Sequence, residues 1–202
     1  MKNISKFACL SIIVFSLCMC NTKNPPTSPT TDTMQGKGDA CMKPTSAEDS
    51  AKYISHQLEV KGEVENPLTL TVDSLKKMKV VEIDSFKVVC QSGATMKNDV
   101  SCKGVLLKDI LDKAKIKQTG HKDRNFYIVA SASDGYKATF SWAEIFNNPT
   151  GENTYVLIEE NGAPIHPKGD MILICKNEIK TGPRHVFWLN QFPIICTASF
   201  SA

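Results

Sequence analysis

A strand-rich α+β fold with few short helices is predicted by three features of the 202-residue sequence. Short runs of β-branched and aromatic residues outnumber the segments with helical periodicity. The two kinds of segment do not alternate regularly, which argues against a doubly wound parallel sheet. With 42% hydrophobic and 22% charged residues, the chain carries enough apolar material for a packed core. The formal charge of +3 falls to +1 once Lys2 and Lys6 are set aside, leaving 22 basic against 21 acidic residues. That balance offers no basic face and predicts no nucleic-acid partner. Four histidines and no CxxC pair argue against a zinc ribbon or finger. No GxGxxG, Walker loop, HExxH or GxSxG occurs either.

Residues 1–20 read as an address. Met1 to Lys6 is short and basic, and Phe7 to Met19 is a run of thirteen mostly apolar residues. A bilayer-spanning helix needs about 20 apolar residues, so the run is a secretory signal rather than a span. Leu17-Cys18-Met19-Cys20 resembles the bacterial lipoprotein signal, which implies that Cys20 is acylated and becomes the new N-terminus. Met19 departs from that pattern, which prefers a smaller residue before the cysteine; an ordinary cleaved signal is the alternative. Residues 21–52 hold Pro25, Pro26, Pro29 and Pro44 among Thr, Ser, Lys and Gly, and predict a solvated tether. The expected location is therefore the bacterial cell envelope, exported and lipid-anchored to a membrane. Disulfides are permitted there. The folded domain is expected over residues 53–202.

Within that domain, Tyr53, Leu58 and Val60 predict a strand ending at Gly62 and the Asn66-Pro67 turn. Leu68 to Val72 alternates, and Asp73 or Ser74 is placed to cap a short helix carrying Leu75 and Met78. Val80 to Val89 is a further strand. Leu106, Leu107, Ile110, Leu111 and Ala114 share one face at helical spacing, giving a helix of about three turns. Phe126 to Ala130 and Tyr136 to Phe140 flank the Asp134-Gly135 hairpin signal. Ser141-Trp142-Ala143-Glu144 is a capping box opening a helix through Phe146. Tyr155 to Ile158 closes at the Asn161-Gly162 turn. Met171 to Ile174, Val186 to Leu189 and Pro193 to Thr197 complete the strands.

The order of these segments resembles the molybdopterin-binding domain of the sulfite oxidase family over roughly Gln57 to Ile195. Val60 to Leu68 is similar to the family's opening strand and turn, and Leu70 to Leu75 to its next short helix. Val88-Val89-Cys90 followed by Gly104 to Leu111 resembles the metal-ligand cysteine and a glycine-led helix. Asp134-Gly135-Tyr136, Asn161-Gly162-Ala163-Pro164 and Arg184 to Leu189 continue the series in order. The resemblance implies a molybdopterin cofactor with molybdenum, ligated by the Cys90 thiolate. Its chemistry would be oxygen-atom transfer or a related two-electron step. A soft thiolate suits that ligand position. With no haem or flavin motif in the chain, electrons would come from a separate partner protein.

The same resemblance places cofactor contacts at Ser131, Asn161, Lys180, Arg184 and His185. Ser92 and Gly93 would let the backbone pass close to the pocket. Two departures matter. Phe187 stands where the family carries a phosphate-holding lysine. Met171 stands where it carries an arginine, with Ile165 to Gly169 read as a local insertion. Only Arg124 and Arg184 remain as arginines in the whole chain. Bidentate recognition of phosphate by arginine is not replaced easily by lysine, and an arginine-poor pocket argues against sulfite itself as the substrate.

Cys90 has competing readings. Beyond the lipidated Cys20, the exported chain holds Cys41, Cys90, Cys102, Cys175 and Cys196. Pairs Cys90–Cys102 and Cys175–Cys196 would leave Cys41 in the tether, and an inert buried thiol is a third reading. A disulfide at Cys90 excludes metal ligation. The alternative function is then a binding or accessory module that kept the fold and lost the cofactor. His166 lies in a loop, solvated or at a pocket mouth; Trp142 and Trp188 read as core.

Overall fold

The computed structural model describes residues 50–118, 120, 124–166 and 168–197. The signal segment, Cys20 and most of the tether lie outside these residues. Two sheets form the domain. The first has the order β2 (Leu68–Leu70), β1 (Leu58–Gly62), β10 (Leu189–Cys196), β5 (Phe126–Ala132), β6 (Lys137–Ser141). Only its β1–β10 pairing is parallel. The second runs β3 (Val80–Val89), β4 (Thr95–Leu106), β7 (Thr154–Glu160), β8 (Ala163–Pro164), with β9 (Ile172–Cys175) also paired to β7. Three short helices, α1 (Val72–Lys76), α2 (Leu107–Ala114) and α3 (Trp142–Phe146), complete the described elements. This is the strand-rich α+β architecture expected.

Side chains alternate across a strand, and the second sheet uses both faces. Val156 and Ile158 of β7 and Leu173 and Cys175 of β9 enter the main core. Their neighbours Leu157, Ile172 and Ile174 join a smaller cluster with Ile83, Phe86 and Cys102. The helix α2 closes the main core with Leu107, Ile110, Leu111 and Ala114, the buried face of its amphipathic pattern. It is eight residues long, shorter than three turns, and ends where Lys115 adopts φ 55°.

Several expectations are corrected. Tyr53 lies in a turn ahead of β1, not in it. The cap of α1 is Thr71, whose hydroxyl accepts from the Ser74 N–H while the Thr71 N–H donates to Ser74 Oγ. Gly104 belongs to the twelve-residue β4 rather than leading a helix. A Cβ at Gly104 would lie 2.6 Å from the Val156 carbonyl oxygen, so the residue permits close strand approach. Strand β4 went unread because its first half is polar and shows no apolar alternation. Val186 makes an isolated bridge to Leu173, and the strand begins at Leu189 because Trp188 turns the chain with φ 47°. The capping box at α3 is formed as read: Ser141 Oγ accepts from the Glu144 N–H and Glu144 accepts from the Ser141 N–H.

Candidate functional site

Cys90 follows the last residue of β3 and is 1% exposed. A tight turn sets its backbone: Cys90 N–H donates to Ala94 O at 2.8 Å, and Gly93 N–H donates to Cys90 O at 2.9 Å. Gly93 has φ 91°, and nothing lies within 4 Å of where its Cβ would be. Its role is therefore the left-handed turn and not a close approach to a pocket. The close approach falls on Gly182, where a Cβ would sit 2.9 Å from Val89 O and 3.2 Å from Cys90 Cα.

Thr181, buried, fastens the 181–188 segment to the end of β3. Its hydroxyl accepts from Val89 N–H at 3.0 Å and donates to Lys87 O at 2.9 Å. Lys180 Nζ donates to the Gln91 carbonyl. On the other side, the Tyr136 hydroxyl donates to Pro183 O at 2.6 Å. Burial, and secondarily the Asp134 charge, push that phenol's pKa up, so it remains a donor. The segment thus lies over Cys90, held by three independent contacts that its sequence spacing does not reveal.

Arg184 is committed to carboxylates. Its Nη2 donates to Glu144 Oε1 and its Nη1 meets Glu178 Oε1, both at 2.9 Å. The guanidinium also stacks 4.3 Å above Phe140. Burial alone would raise the Glu144 pKa, but the Ser141 N–H and Arg184 outweigh it and hold that carboxyl below its ordinary range. Glu178 goes the other way, since burial exceeds the help from Arg184 and the Glu144 charge adds to it. Burial likewise raises the neighbouring Cys175 thiol, which donates to Asn177 Oδ1 at 3.1 Å. Cys175 is therefore a protonated core thiol and not a nucleophile.

Past Arg184 runs an aromatic line. The His185 and Phe187 rings meet edge-on at 4.4 Å, and Phe187 and Trp188 at 6.1 Å. Lys168 Nζ lies 5.5 Å above Phe187 and 3.1 Å from Glu160 Oε2. Met171 is fully buried in the main core.

Of the residues expected to hold a cofactor, Cys90, Lys180, Arg184 and His185 come together on these two adjoining segments. Ser131, 8% exposed, sits in mid-sheet on β5 opposite Gln191 and Lys137. Asn161 lies in the exposed β7–β8 turn with φ 51°, its N–H donating to Ser101 O. Sequence reading missed Glu144 and Glu178 as partners of Arg184, and Thr181 as the clamp. Glu144 was visible only as a capping residue; nothing in sequence links it to a position 40 residues away.

The sulfur chemistry also differs from two expected pairings. Cys90 is disulfide-bonded, while Cys102, Cys175 and Cys196 are free. The pairs Cys90–Cys102 and Cys175–Cys196 are thereby overturned, and the partner of Cys90 lies outside the described residues. Cys102 and Cys175 point into the two cores, which explains why proximity in sequence gave no bond.

These residues do not fit an anionic pterin phosphate bound through a cysteine thiolate. The ligand sulfur is already bonded to sulfur. Arg184 and Lys168 are matched with internal carboxylates, and Phe187 and Met171 supply no charge. A buried cation in a satisfied pair is costly to redirect. Among the described residues, no group of three His, Cys, Asp or Glu side chains is arranged to hold a metal ion.

Comparison with known proteins sets these observations in context. Residues 44–191, well over half of the chain, match the family described as oxidoreductase molybdopterin binding domain. Comparison with curated proteins gives no match. Among solved structures, the sulfane dehydrogenase SoxCD from Paracoccus pantotrophus superposes with a TM-score of 0.54 at 17% identity. That similarity covers 76% of this chain and 40% of the dehydrogenase chain, and at this identity it speaks for the fold.

Proposed function

The chain belongs to the oxidoreductase molybdopterin-binding domain family, of the sulfite oxidase type, and from that premise we propose that it is an exported, lipid-anchored member that works without bound pterin, as a binding or accessory module of the cell envelope. The observation that carries this reading is the disulfide at Cys90, at the position that resembles the family's metal-ligand cysteine. A sulfur in a disulfide has no thiolate lone pair to offer a metal. The paired state of Arg184 and Lys168 supports the same conclusion. Export is supported by the basic-apolar-cysteine order of residues 1–20 and by the disulfide itself, which persists in an oxidising compartment.

A second reading, favoured by family membership, is a molybdopterin oxidoreductase loaded after Cys90 is reduced and served by a separate electron-transfer partner. One experiment separates the two. The mature protein is purified from a host that makes and exports the cofactor, alongside a family member known to load there. The molybdenum-to-protein ratio is then measured. Metal near background with a loaded control is the expected result. A ratio near one that is lost in Cys90→Ser would establish the oxidoreductase instead.

A further inference from the structure

Two separate attachments hold the chain that precedes β1 against the segment covering Cys90. At one end, Tyr53 lies against Trp188 with ring centroids 5.4 Å apart, and the Ser133 hydroxyl donates to Tyr53 O. His56 Nδ1 and Asp170 Oδ2 are 2.6 Å apart, joining the same stretch to the loop before β9. Trp188 is itself seated firmly. Its N–H donates to Lys168 O at 2.8 Å, and a Cβ on Gly169 would lie 2.9 Å from Trp188 Cα. At the other end is the disulfide at Cys90, beneath Gly182.

Elimination narrows the partner of Cys90. The sequence has eight cysteines, and Cys102, Cys175 and Cys196 are free, so Cys9, Cys18, Cys20 and Cys41 remain. This step rests on the lipoprotein reading above: cleavage before Cys20 removes Cys9 and Cys18, and acylation occupies the Cys20 sulfur. We propose that Cys41 bonds Cys90, and that the chain between Cys41 and β1 is a strap fastened across the 181–188 segment, covalently at Cys90 and non-covalently at Trp188 and Asp170, and released by a protein dithiol of the cell envelope.

The release step balances as a thiol–disulfide exchange. One thiolate of the dithiol attacks the Cys41 sulfur, because Cys90 is 1% exposed and offers no approach. Cys90 leaves as a thiolate and takes a proton. The second thiol of the reductant then displaces Cys41 from the mixed disulfide. The protein gains two electrons and two protons as two thiols, and the reductant becomes a disulfide. Reduction leaves the strap held only by Tyr53 and His56, which removes the advantage of a linked second contact.

The test uses the full-length protein recovered from membranes under alkylating conditions. Non-reducing digestion and mass spectrometry should yield a Cys41–Cys90 linked peptide, with Cys102, Cys175 and Cys196 alkylated. Dithiothreitol treatment, and separately Cys41→Ser, should each speed proteolysis within residues 50–57 about tenfold or more. Cys90 bonded to any other cysteine, or alkylated in the membrane-derived protein, overturns the pairing. An unchanged cleavage rate in both cases overturns the strap. The same spectra report the N-terminal residue. An N-terminus other than acylated Cys20 defeats the lipoprotein reading while the linked peptide still judges the pairing. Molybdenum content is read separately.

Discussion

Replacing Arg184 with methionine tests whether its charge serves two internal carboxylates. Methionine keeps most of the stem over Phe140 and removes the guanidinium. A hydrogen bond to a charged group contributes about 1.5–3 kcal/mol when well buried, and an exposed ion pair about 0.2–1 kcal/mol. The side chains of Arg184, Glu144 and Glu178 are 23%, 35% and 25% exposed, between those limits. About 1 kcal/mol for each of the two contacts is therefore reasonable. The lost stacking on Phe140 adds roughly 0.5–1 kcal/mol. Arg184→Met should then cost about 2–3 kcal/mol near neutral pH. Both contacts need ionised carboxylates, and Glu178 already titrates above its ordinary value of 4.5 in the folded protein. The cost should consequently shrink as pH falls toward about 5 and the carboxyls take up protons. Urea unfolding followed by tryptophan fluorescence measures both quantities. A loss under about 0.5 kcal/mol, or one unchanged across that range, would refute the assignment of Arg184 to these two partners.

Acid sensitivity should be visible at Glu144 alone. Its folded pKa is lowered from 4.5, so its contribution is complete above that value and disappears as pH falls through the lower folded value. The stability gap between the native protein and Glu144→Gln should be widest near neutrality and close in acid; a gap constant with pH would contradict this. Gly151→Ala should cost upwards of about 3 kcal/mol or prevent folding, since the added Cβ would lie 1.8 Å from the Ile145 carbonyl oxygen. Soluble yield and thermal unfolding report the effect, and a native-like melting curve would contradict it. Thr71→Ala should cost about 1 kcal/mol by removing the α1 cap, measured by the same unfolding. An equal loss in Asp73→Ala would restore the capping role to the residue expected from sequence.

Much of the fold was legible because its signals are local. The Ser141–Glu144 capping box, the Asn161-Gly162 turn with both residues at positive φ, and the apolar stripe of α2 each depend on residues within four positions of one another. Strand β4 was not legible, because its polar first half is set by pairing with β3 and not by its own pattern. The site divided along the same line. Cys90, Lys180, Arg184 and His185 were named from the order of segments, and the fold gathers them. Their states were not written in that order: what Arg184 binds is decided by Glu144 on α3 and Glu178 beyond β9.

By itself, then, the sequence determined the α+β class, the place of most elements, the family's segment order and the loss of two basic residues at Met171 and Phe187. These follow from backbone propensity, periodicity and residue chemistry, which act over a few positions. Only the tertiary structure decided that Cys90 is oxidised while three other cysteines remain thiols, that the remaining arginine of the site is neutralised, and that Tyr53 packs on Trp188. Ion pairing and disulfide formation depend on distances of a few ångströms between groups far apart in the chain, and those distances exist only once the two sheets have packed.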